Sequence, residues 1–227
     1  MARHSIPSSP NLWQRHETLY VDLFCMALQR LSENICDASE EDMISEQLCP
    51  ILNTLCYEES KNQQCAIPTP DWEKPIQPIT DNELKGGKIR KRPDFTCKLT
   101  NPLAACEEEH EIHFHIECKR LGTPSSPTWI LNKNYVIEGI KRFDCASHEY
   151  GKRAASGMMI GYIVSMSPQE IQDEVNTYQK LYCSHNPNIV FSFDKKDVQQ
   201  HHQKLKRKNV KPDKFKLIHL WVDLKSQ

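Results

Sequence analysis

Two stretches in which polar and apolar residues alternate constrain the fold of this chain more than any other feature. Residues 92–99 (RPDFTCKL) and 111–121 (EIHFHIECKRL) have the two-residue period of β-strands, whose successive side chains point to opposite faces of a sheet. The residues that share the polar faces are Asp94, Thr96 and Lys98 in the first stretch and His113, His115, Glu117 and Lys119 in the second. The two stretches therefore predict a hairpin with one polar and one apolar face.

An antiparallel pairing of these strands brings charged side chains together. Asp94 then lies opposite Glu117 or its neighbours, and Lys119 follows Glu117 on the same face. Carboxylates are the ligands that a hard cation such as Mg²⁺ takes from a protein. A neighbouring lysine can orient an attacking water or hold phosphate charge. The pattern predicts metal-dependent hydrolysis of phosphodiester bonds, and an ordinary surface salt bridge among the same residues is the alternative.

Pro93-Asp94, a spacer of about twenty residues and Glu117-Cys118-Lys119 resemble the PD-(D/E)XK motif of restriction-endonuclease-like nucleases. Each half of the motif is a weak signal alone, and the two gain specificity from lying on strands that a helix and a further strand follow. The resemblance covers residues 41–165. It implies an α/β fold with a restriction-endonuclease-like core, in which helices flank a central mixed β-sheet.

The resemblance also implies a site and an activity. Asp94, Glu117 and the backbone carbonyl of Cys118 would hold Mg²⁺ or Mn²⁺, while Lys119 would orient or activate water. We therefore expect a metal-dependent deoxyribonuclease with Asp94, Glu117 and Lys119 as its catalytic residues. Nucleases of this family often belong to restriction, repair or anti-phage defence systems. DNA, a partner protein that supplies specificity, and a second copy of the chain in a homo-oligomer are the expected partners.

Two other functions stay open at this stage. The first is a nucleic-acid-binding or scaffold subunit that keeps the fold but has weak or no catalysis. The second is an interaction protein whose acidic helical front and basic tail dock partner chains. Metal-dependent cleavage by the isolated protein separates the nuclease from both.

Further charged residues are candidates for the same site. Many members of the resembled family carry one more acidic residue on a helix before the sheet. Glu41 fits that position and Glu17 fits it nearly as well, although a negative charge near a helix N-terminus explains Glu41 equally well. The residues expected to contact the DNA backbone are Lys88, Arg90 and Arg92, just before Asp94, and Lys133 and Arg142 on the predicted helix after the hairpin. Solvated surface charge is the alternative for these basic residues.

Length and composition indicate one compact domain. A helical segment over residues 1–60 would pack on a core formed by residues 61–227, which ends in a basic helix and a final strand. The net charge of −1 is unevenly distributed, because residues 195–216 contain nine Lys or Arg and two Asp, whereas residues 33–59 contain eight acidic residues and no Lys or Arg. Such asymmetry is typical of a nucleic-acid or protein partner, with a solvated helix face as the default explanation.

The ten cysteines bear on the cellular compartment. With no CxxC pair and no signal peptide, we expect reduced thiols in a cytoplasmic protein. A zinc site formed by Cys97, Cys106, His110 and Cys118 is the less favoured alternative, since the spacings fit no known finger or ribbon. No apolar run approaches the length of a membrane span, so we expect no membrane partner.

Periodicity and punctuation predict the remaining elements. The predicted helices are residues 8–36, a second helix capped by Asp37 or Ser39 and bent at Pro50, residues 132–143, a helix capped by Ser167, and residues 195–208. The predicted strands are one near Ile76, the buried run 157–165, residues 189–193 and residues 215–222.

Overall fold

A computed structural model describes residues 9–35, 38–76, 91–193 and 198–225. Helices and strands alternate along much of these ranges. The helices are α1 (Ser9–Asn34), α2 (Glu41–Gln63), α3 (Leu131–Ile137) and α4 (Pro168–Tyr182), with 3₁₀ helices at Glu107–Glu109 and Ile140–Asp144. The strands are β1 (Asp71–Trp72), β2 (Phe95–Thr100), β3 (Glu111–Leu121), β4 (Ser156–Ile163), β5 (Val198–Lys206) and β6 (Lys214–Asp223). No helix in these ranges is long and apolar enough to cross a membrane.

One mixed sheet holds the six strands in the order β1-β2-β3-β4-β6-β5. The central strands β3, β4 and β6 run parallel, and the outer pairings are antiparallel. All eight residues of β4 are buried, as expected of a parallel strand that is covered on both faces. The prediction of an α/β fold with a central mixed sheet is confirmed.

Helices cover both faces of this sheet. On one face, Trp13 of α1 donates to Ser156 at 3.0 Å, and the Ser45 hydroxyl of α2 lies 3.3 Å from that of Tyr162. On the other face, the Tyr135 hydroxyl of α3 lies 2.7 Å from Nδ1 of His219. Buried apolar residues of α1 and α2 join the strands in one hydrophobic core. The predicted N-terminal helical segment therefore packs directly on the sheet, although α2 continues to Gln63.

The β2–β3 hairpin has the predicted register. Phe95 pairs with Ile116 and Thr96 with His115. The strand β3 is eleven residues long and β2 only six, so β2 covers β3 as far as Ile116. Beyond that point β3 keeps β4 as its neighbour on the other side, where Glu117 pairs with Met159 and Lys119 with Gly161. The uncovered half of β3 is where the candidate site lies.

Two helix predictions need correction. The residue before α2 is Glu40, whose side chain makes no capping hydrogen bond, so Ser39 is not the cap, and Asp37 lies outside the described residues. The predicted helix over 132–143 is broken, because α3 ends at Ile137 and a 3₁₀ helix begins at Ile140. Gly139 lies at the break, and a Cβ atom there would come within 2.5 Å of the Tyr135 carbonyl oxygen. The helix capped by Ser167 is confirmed, including its capping box with Glu170.

The predicted basic helix over 195–208 is wrong, since residues Val198–Lys206 form strand β5. This strand pairs with β6 along its whole length and buries Gln203 and Leu205 while the neighbouring lysines stay exposed. Long-range pairing thus overrides the helix propensity of Lys and Gln.

The strand predicted at 189–193 is also wrong, whereas the strand expected near Ile76 is found slightly earlier, at Asp71–Trp72, and residues 77–90 lie outside the described residues. Ile189 and Phe191 donate their backbone N–H groups to the side chains of Asn176 and Gln172 on α4, at 2.8 and 2.7 Å, instead of to a strand. Ile76 donates to the Lys91 carbonyl at 3.0 Å outside any strand, and the short edge strand is Asp71–Trp72. The buried run 157–165 and the final strand are confirmed as β4 and β6.

Gly161→Ala tests the packing beneath the uncovered half of β3. A Cβ atom at Gly161 would lie 2.4 Å from Cδ1 of Leu121 and 2.6 Å from Cδ1 of Trp221, whose ring is fully buried. We expect the overpacked variant to lose about 1–3 kcal/mol of stability in urea unfolding. Ser184→Ala, in an exposed loop, should change it by less than about 0.5 kcal/mol. Equal stability of the two variants would contradict this packing.

Candidate active site

Within the described part of the chain, no strand accepts from the backbone N–H groups on the β2 side of the uncovered half of β3, and carboxylates accept from them instead. The N–H of Cys118 donates to Oδ2 of Asp94 at 2.5 Å, and the N–H of Arg120 donates to Oε2 of Glu41 at 3.2 Å. Asp94 directly precedes β2, and Glu41 begins α2. Because a buried backbone donor needs an acceptor, this arrangement fixes two acidic side chains beside β3.

Lys119 lies among three carboxylates. Its Nζ is 2.6 Å from Oε1 of Glu41, 3.5 Å from Oε2 of Glu117 and 3.7 Å from Oδ2 of Asp94. The ammonium group also donates to the Cys118 carbonyl at 2.5 Å. Burial lowers the pKa of Lys119, but attraction to Asp94, Glu41 and Glu117 outweighs burial, and the pKa lies well above its ordinary value. Lys119 is therefore charged at neutral pH.

Glu117 is the most deeply buried member of the cluster, with none of its surface exposed. Burial, followed by repulsion from Asp94, raises its pKa to about 8 despite the opposing charges of Lys119 and Arg142. Oε2 accepts a hydrogen bond from Arg142 at 2.8 Å, whereas the buried Oε1 accepts none with good geometry from the described residues. The Tyr150 hydroxyl lies near Glu117. Burial, followed by the negative charge of Glu117, raises the pKa of Tyr150.

Of the two further acidic candidates, the structure brings Glu41 to the cluster. Burial raises the pKa of Glu41 even though Lys119 beside it acts in the opposite direction. Glu17 lies elsewhere and forms an ion pair with Lys216 on β6. Glu41, Asp94, Glu117 and Lys119 thus form what we call the acidic cluster.

The basic candidates for DNA contact are placed differently from one another. Arg142 bonds to Glu117 and also lies 3.3 Å from Glu138, so it belongs to the acidic cluster's surroundings rather than to a free helix surface. Lys133 lies over the ring of Tyr182, 5.6 Å from its centroid, away from the cluster. Arg92 is exposed beside Asp94, while Lys88 and Arg90 lie outside the described residues.

Sequence reasoning missed the direct contact of Arg142 with Glu117 and the proximity of Tyr150. The contact of Arg142 depends on the helix break at Gly139, for which the glycine itself was the only signal. His115 accepts a hydrogen bond from the Gly151 N–H at 3.0 Å and lies under the Tyr150 ring, and burial lowers its pKa to about 3. His115 therefore packs as a buried polar side chain.

The cluster offers oxygen donors rather than a preformed metal centre. Within the described ranges no group of three or more His, Cys, Asp or Glu residues is arranged to hold a metal ion, and this includes the zinc candidates. The nine cysteines of those ranges are free thiols. The unpartnered Oε1 of Glu117, the Asp94 carboxylate and the Cys118 carbonyl are nevertheless all hard oxygen donors, which is the chemistry that Mg²⁺ prefers.

Burial of Glu117 predicts a pH dependence of stability in the metal-free protein. Between the ordinary value of 4.5 and about 8, folded Glu117 holds a proton that the unfolded chain has lost, so stability falls as the pH rises through this window. Relative to Glu117→Gln, the wild type should lose up to about 1.4 kcal/mol per pH unit in urea unfolding with EDTA. Buried histidines act in the opposite direction in both proteins and cancel in the difference. Parallel stability curves for the two proteins would contradict the burial of a titrating carboxyl group.

Comparisons with known protein families, curated proteins and solved structures find no match to this chain. The resemblance to restriction-endonuclease-like nucleases therefore rests on the sequence motif. The described geometry adds the convergence of the motif's residues at one point of the sheet.

Proposed function

We propose that this protein is a metal-dependent nuclease that hydrolyses phosphodiester bonds of DNA. The observation that carries the proposal is the convergence of Asp94, Glu117 and Lys119 at the N-terminal end of β2, with Lys119 within 4 Å of both carboxylates. Asp94 and Cys118, 24 positions apart in the chain, meet at this point through the hydrogen bond from the Cys118 backbone N–H to the Asp94 carboxylate. We include in this proposal that the nuclease acts in a restriction or anti-phage defence system, in which a partner protein supplies specificity.

An ordinary surface salt bridge accounts poorly for the cluster. Glu117 is fully buried and one of its oxygens lacks a partner, and a buried carboxylate in that state costs stability. Strongly shifted pKa values of this kind concentrate at functional sites. The three carboxylates also outnumber the two neighbouring cations, Lys119 and Arg142, so the fully ionised cluster has an excess of negative charge that a divalent cation would offset.

Each residue has a distinct role in the proposed reaction. Asp94, Glu117 and the Cys118 carbonyl would hold Mg²⁺ or Mn²⁺, which supplies Lewis-acid stabilisation of the phosphate charge and a more acidic water. Lys119 would hold the attacking water or a phosphate oxygen, and Glu41 fixes the ammonium group at 2.6 Å. Arg142 would stabilise negative charge on the phosphate. Arg92, together with Lys88 and Arg90, would hold the DNA backbone next to the cut.

A catalytically inactive nucleic-acid-binding subunit is the second candidate. With Glu117 protonated, the two carboxylates of Glu41 and Asp94 are balanced by the two cations Lys119 and Arg142 without any bound ion. The pKa of about 8 places this state within reach at neutral pH. Activity measurements separate the two candidates.

Asp94→Asn and Lys119→Gln should each lower Mg²⁺- or Mn²⁺-dependent DNA cleavage by about 100-fold or more, and EDTA should abolish it in the wild type. The asparagine keeps an oxygen that can accept from the Cys118 N–H, so the fold should be retained. Glu46→Gln, exposed on α2, is the matched control and should leave the rate unchanged. Wild-type rates in Asp94→Asn protein, free of contaminating nuclease, would sink the proposed function.

Cation binding should also be visible without turnover. At about pH 8, Mn²⁺ should raise the melting temperature of the wild type, because a bound cation relieves the repulsion between Asp94 and Glu117. Glu117→Gln removes one of these charges, so its melting temperature should be higher than that of the wild type in EDTA and nearly insensitive to Mn²⁺. Equal Mn²⁺-induced shifts in the two proteins would place the cation elsewhere.

A further inference from the structure

The β5–β6 hairpin carries four lysines that we call the hairpin lysines: Lys204, Lys206, Lys214 and Lys216. They form two directly opposite cross-strand pairs, Lys204 with Lys216 and Lys206 with Lys214. Opposite residues share a face of the sheet, and so do residues two apart, so all four side chains leave the same face. The first three are exposed, and Lys216 is partly exposed.

This arrangement costs stability in the isolated protein. Like charges directly opposite each other on neighbouring strands repel. Of the four hairpin lysines, only Lys216 has an acidic partner among the described residues, and this partner is Glu17 of α1. Two cross-strand pairs therefore carry four positive charges against one negative charge. A pattern of this kind needs a reason other than folding.

Protection of an exposed edge explains only half of the pattern. Lysines on an edge strand discourage pairing with other chains, and β5 is such an edge. Lys214 and Lys216, however, lie on β6, an inner strand between β4 and β5. Lysines on an inner strand do not block edge pairing, so the second lysine of each pair has no such role.

The hairpin lysines also surround a concave surface. A groove of about 550 Å³ is lined by all four of them together with Ala155, Leu205 and Phe215. A ligand in this groove would meet ammonium groups from both strands. Repeated anionic groups, such as successive phosphates of a nucleic acid, match such a surface in charge.

We propose that the hairpin lysines form a second DNA-binding surface that holds the phosphate backbone at a distance from the acidic cluster. Lys216 pairs with Ser156, which faces α1, whereas Glu117 pairs with Met159 and faces Arg142 on the other side of the sheet. DNA on the hairpin therefore lies on the face opposite to the Glu117 side chain. The surface anchors DNA and takes no part in cleavage. The choice of DNA rests on the proposed function.

Arg207 is excluded from this surface although it follows β5 directly. Its guanidinium is buried, donates to the carbonyls of Phe143, Tyr150, Gly151 and Pro212, and lies 3.9 Å from the centroid of the Phe215 ring. A variant at Arg207 would disturb folding and phosphate binding together. The test therefore leaves Arg207 unchanged.

The test compares two triple variants that remove the same charge. Lys204→Gln/Lys206→Gln/Lys214→Gln removes the three hairpin lysines that lack an acidic partner, and Lys61→Gln/Lys180→Gln/Lys225→Gln removes three exposed lysines elsewhere. Binding of a fluorescent DNA duplex of about 20 base pairs is measured by anisotropy in EDTA, over a range of salt concentrations. Each lost phosphate contact lowers the slope of log affinity against log salt by about 0.9, so three contacts lower it by about 2.7. We expect this change and at least about 10-fold weaker binding at low salt for the hairpin variant alone.

Two further measurements complete the design. The hairpin variant should melt at the wild-type temperature or slightly above it, because its loss of binding comes with relief of repulsion rather than unfolding. Vesicles containing phosphatidylserine are the second ligand, and we expect no binding that depends on the hairpin lysines.

Equal losses of DNA binding in the two triple variants, or vesicle binding without DNA binding, would overturn the proposal. Because EDTA prevents turnover, hairpin-dependent binding by a protein that never cleaves DNA would contradict the proposed nuclease and leave the second surface standing. If the protein cleaves DNA but its DNA binding does not depend on the hairpin lysines, the second surface is contradicted and the proposed nuclease stands.

Discussion

The structure depends on one constraint, which is that β3 extends beyond the end of its neighbour β2. Beyond Ile116, no strand among the described residues pairs with β3 on the β2 side, and its backbone N–H groups at Cys118 and Arg120 still need acceptors. Asp94 and Glu41 supply them, and in doing so they come to rest beside Glu117 and Lys119. The need for acceptors at these backbone N–H groups therefore also brings the acidic side chains together. Asp94 and Glu41 therefore satisfy the backbone of β3 and add negative charge beside Lys119 at the same time.

Burial then decides the electrostatics. Glu117 lies in the sheet rather than at its rim, so water cannot screen its repulsion from Asp94, and its pKa rises. Lys119 and Arg142 offset part of the negative charge, and their own pKa values rise in return. Because the pKa of Glu117 depends on these neighbouring charges, its charge state responds to any cation or phosphate that approaches the site.

Periodicity in the sequence was sufficient for the part of the site that lies on one hairpin. Alternation in residues 92–99 and 111–121 predicts the two strands and brings Asp94 opposite Glu117 or its neighbours, and the pairing of Phe95 with Ile116 fixes the register. It could not choose between Glu41 and Glu17, because both lie on helices whose placement on the sheet depends on distant packing. Periodicity also predicted a helix over residues 195–208, where the structure has strand β5. Lys, Gln and His carry little β-signal, and only the pairing with β6 makes that segment a strand.

The buried guanidinium of Arg207 limits how the chain can vary in length. Arg207 ties the turn between β5 and β6 to the carbonyls of Tyr150 and Gly151, and these same residues contact the surroundings of Glu117 and His115. The N–H of Arg207 also donates to the Asp213 carbonyl at 2.8 Å, so both the backbone and the side chain of Arg207 hold the turn closed. An inserted residue between 207 and 213 would move the loop behind Glu117 as well as the hairpin. The turn over 101–110, largely exposed and linked to the rest mainly through its own ends, can accept insertions without reaching the acidic cluster.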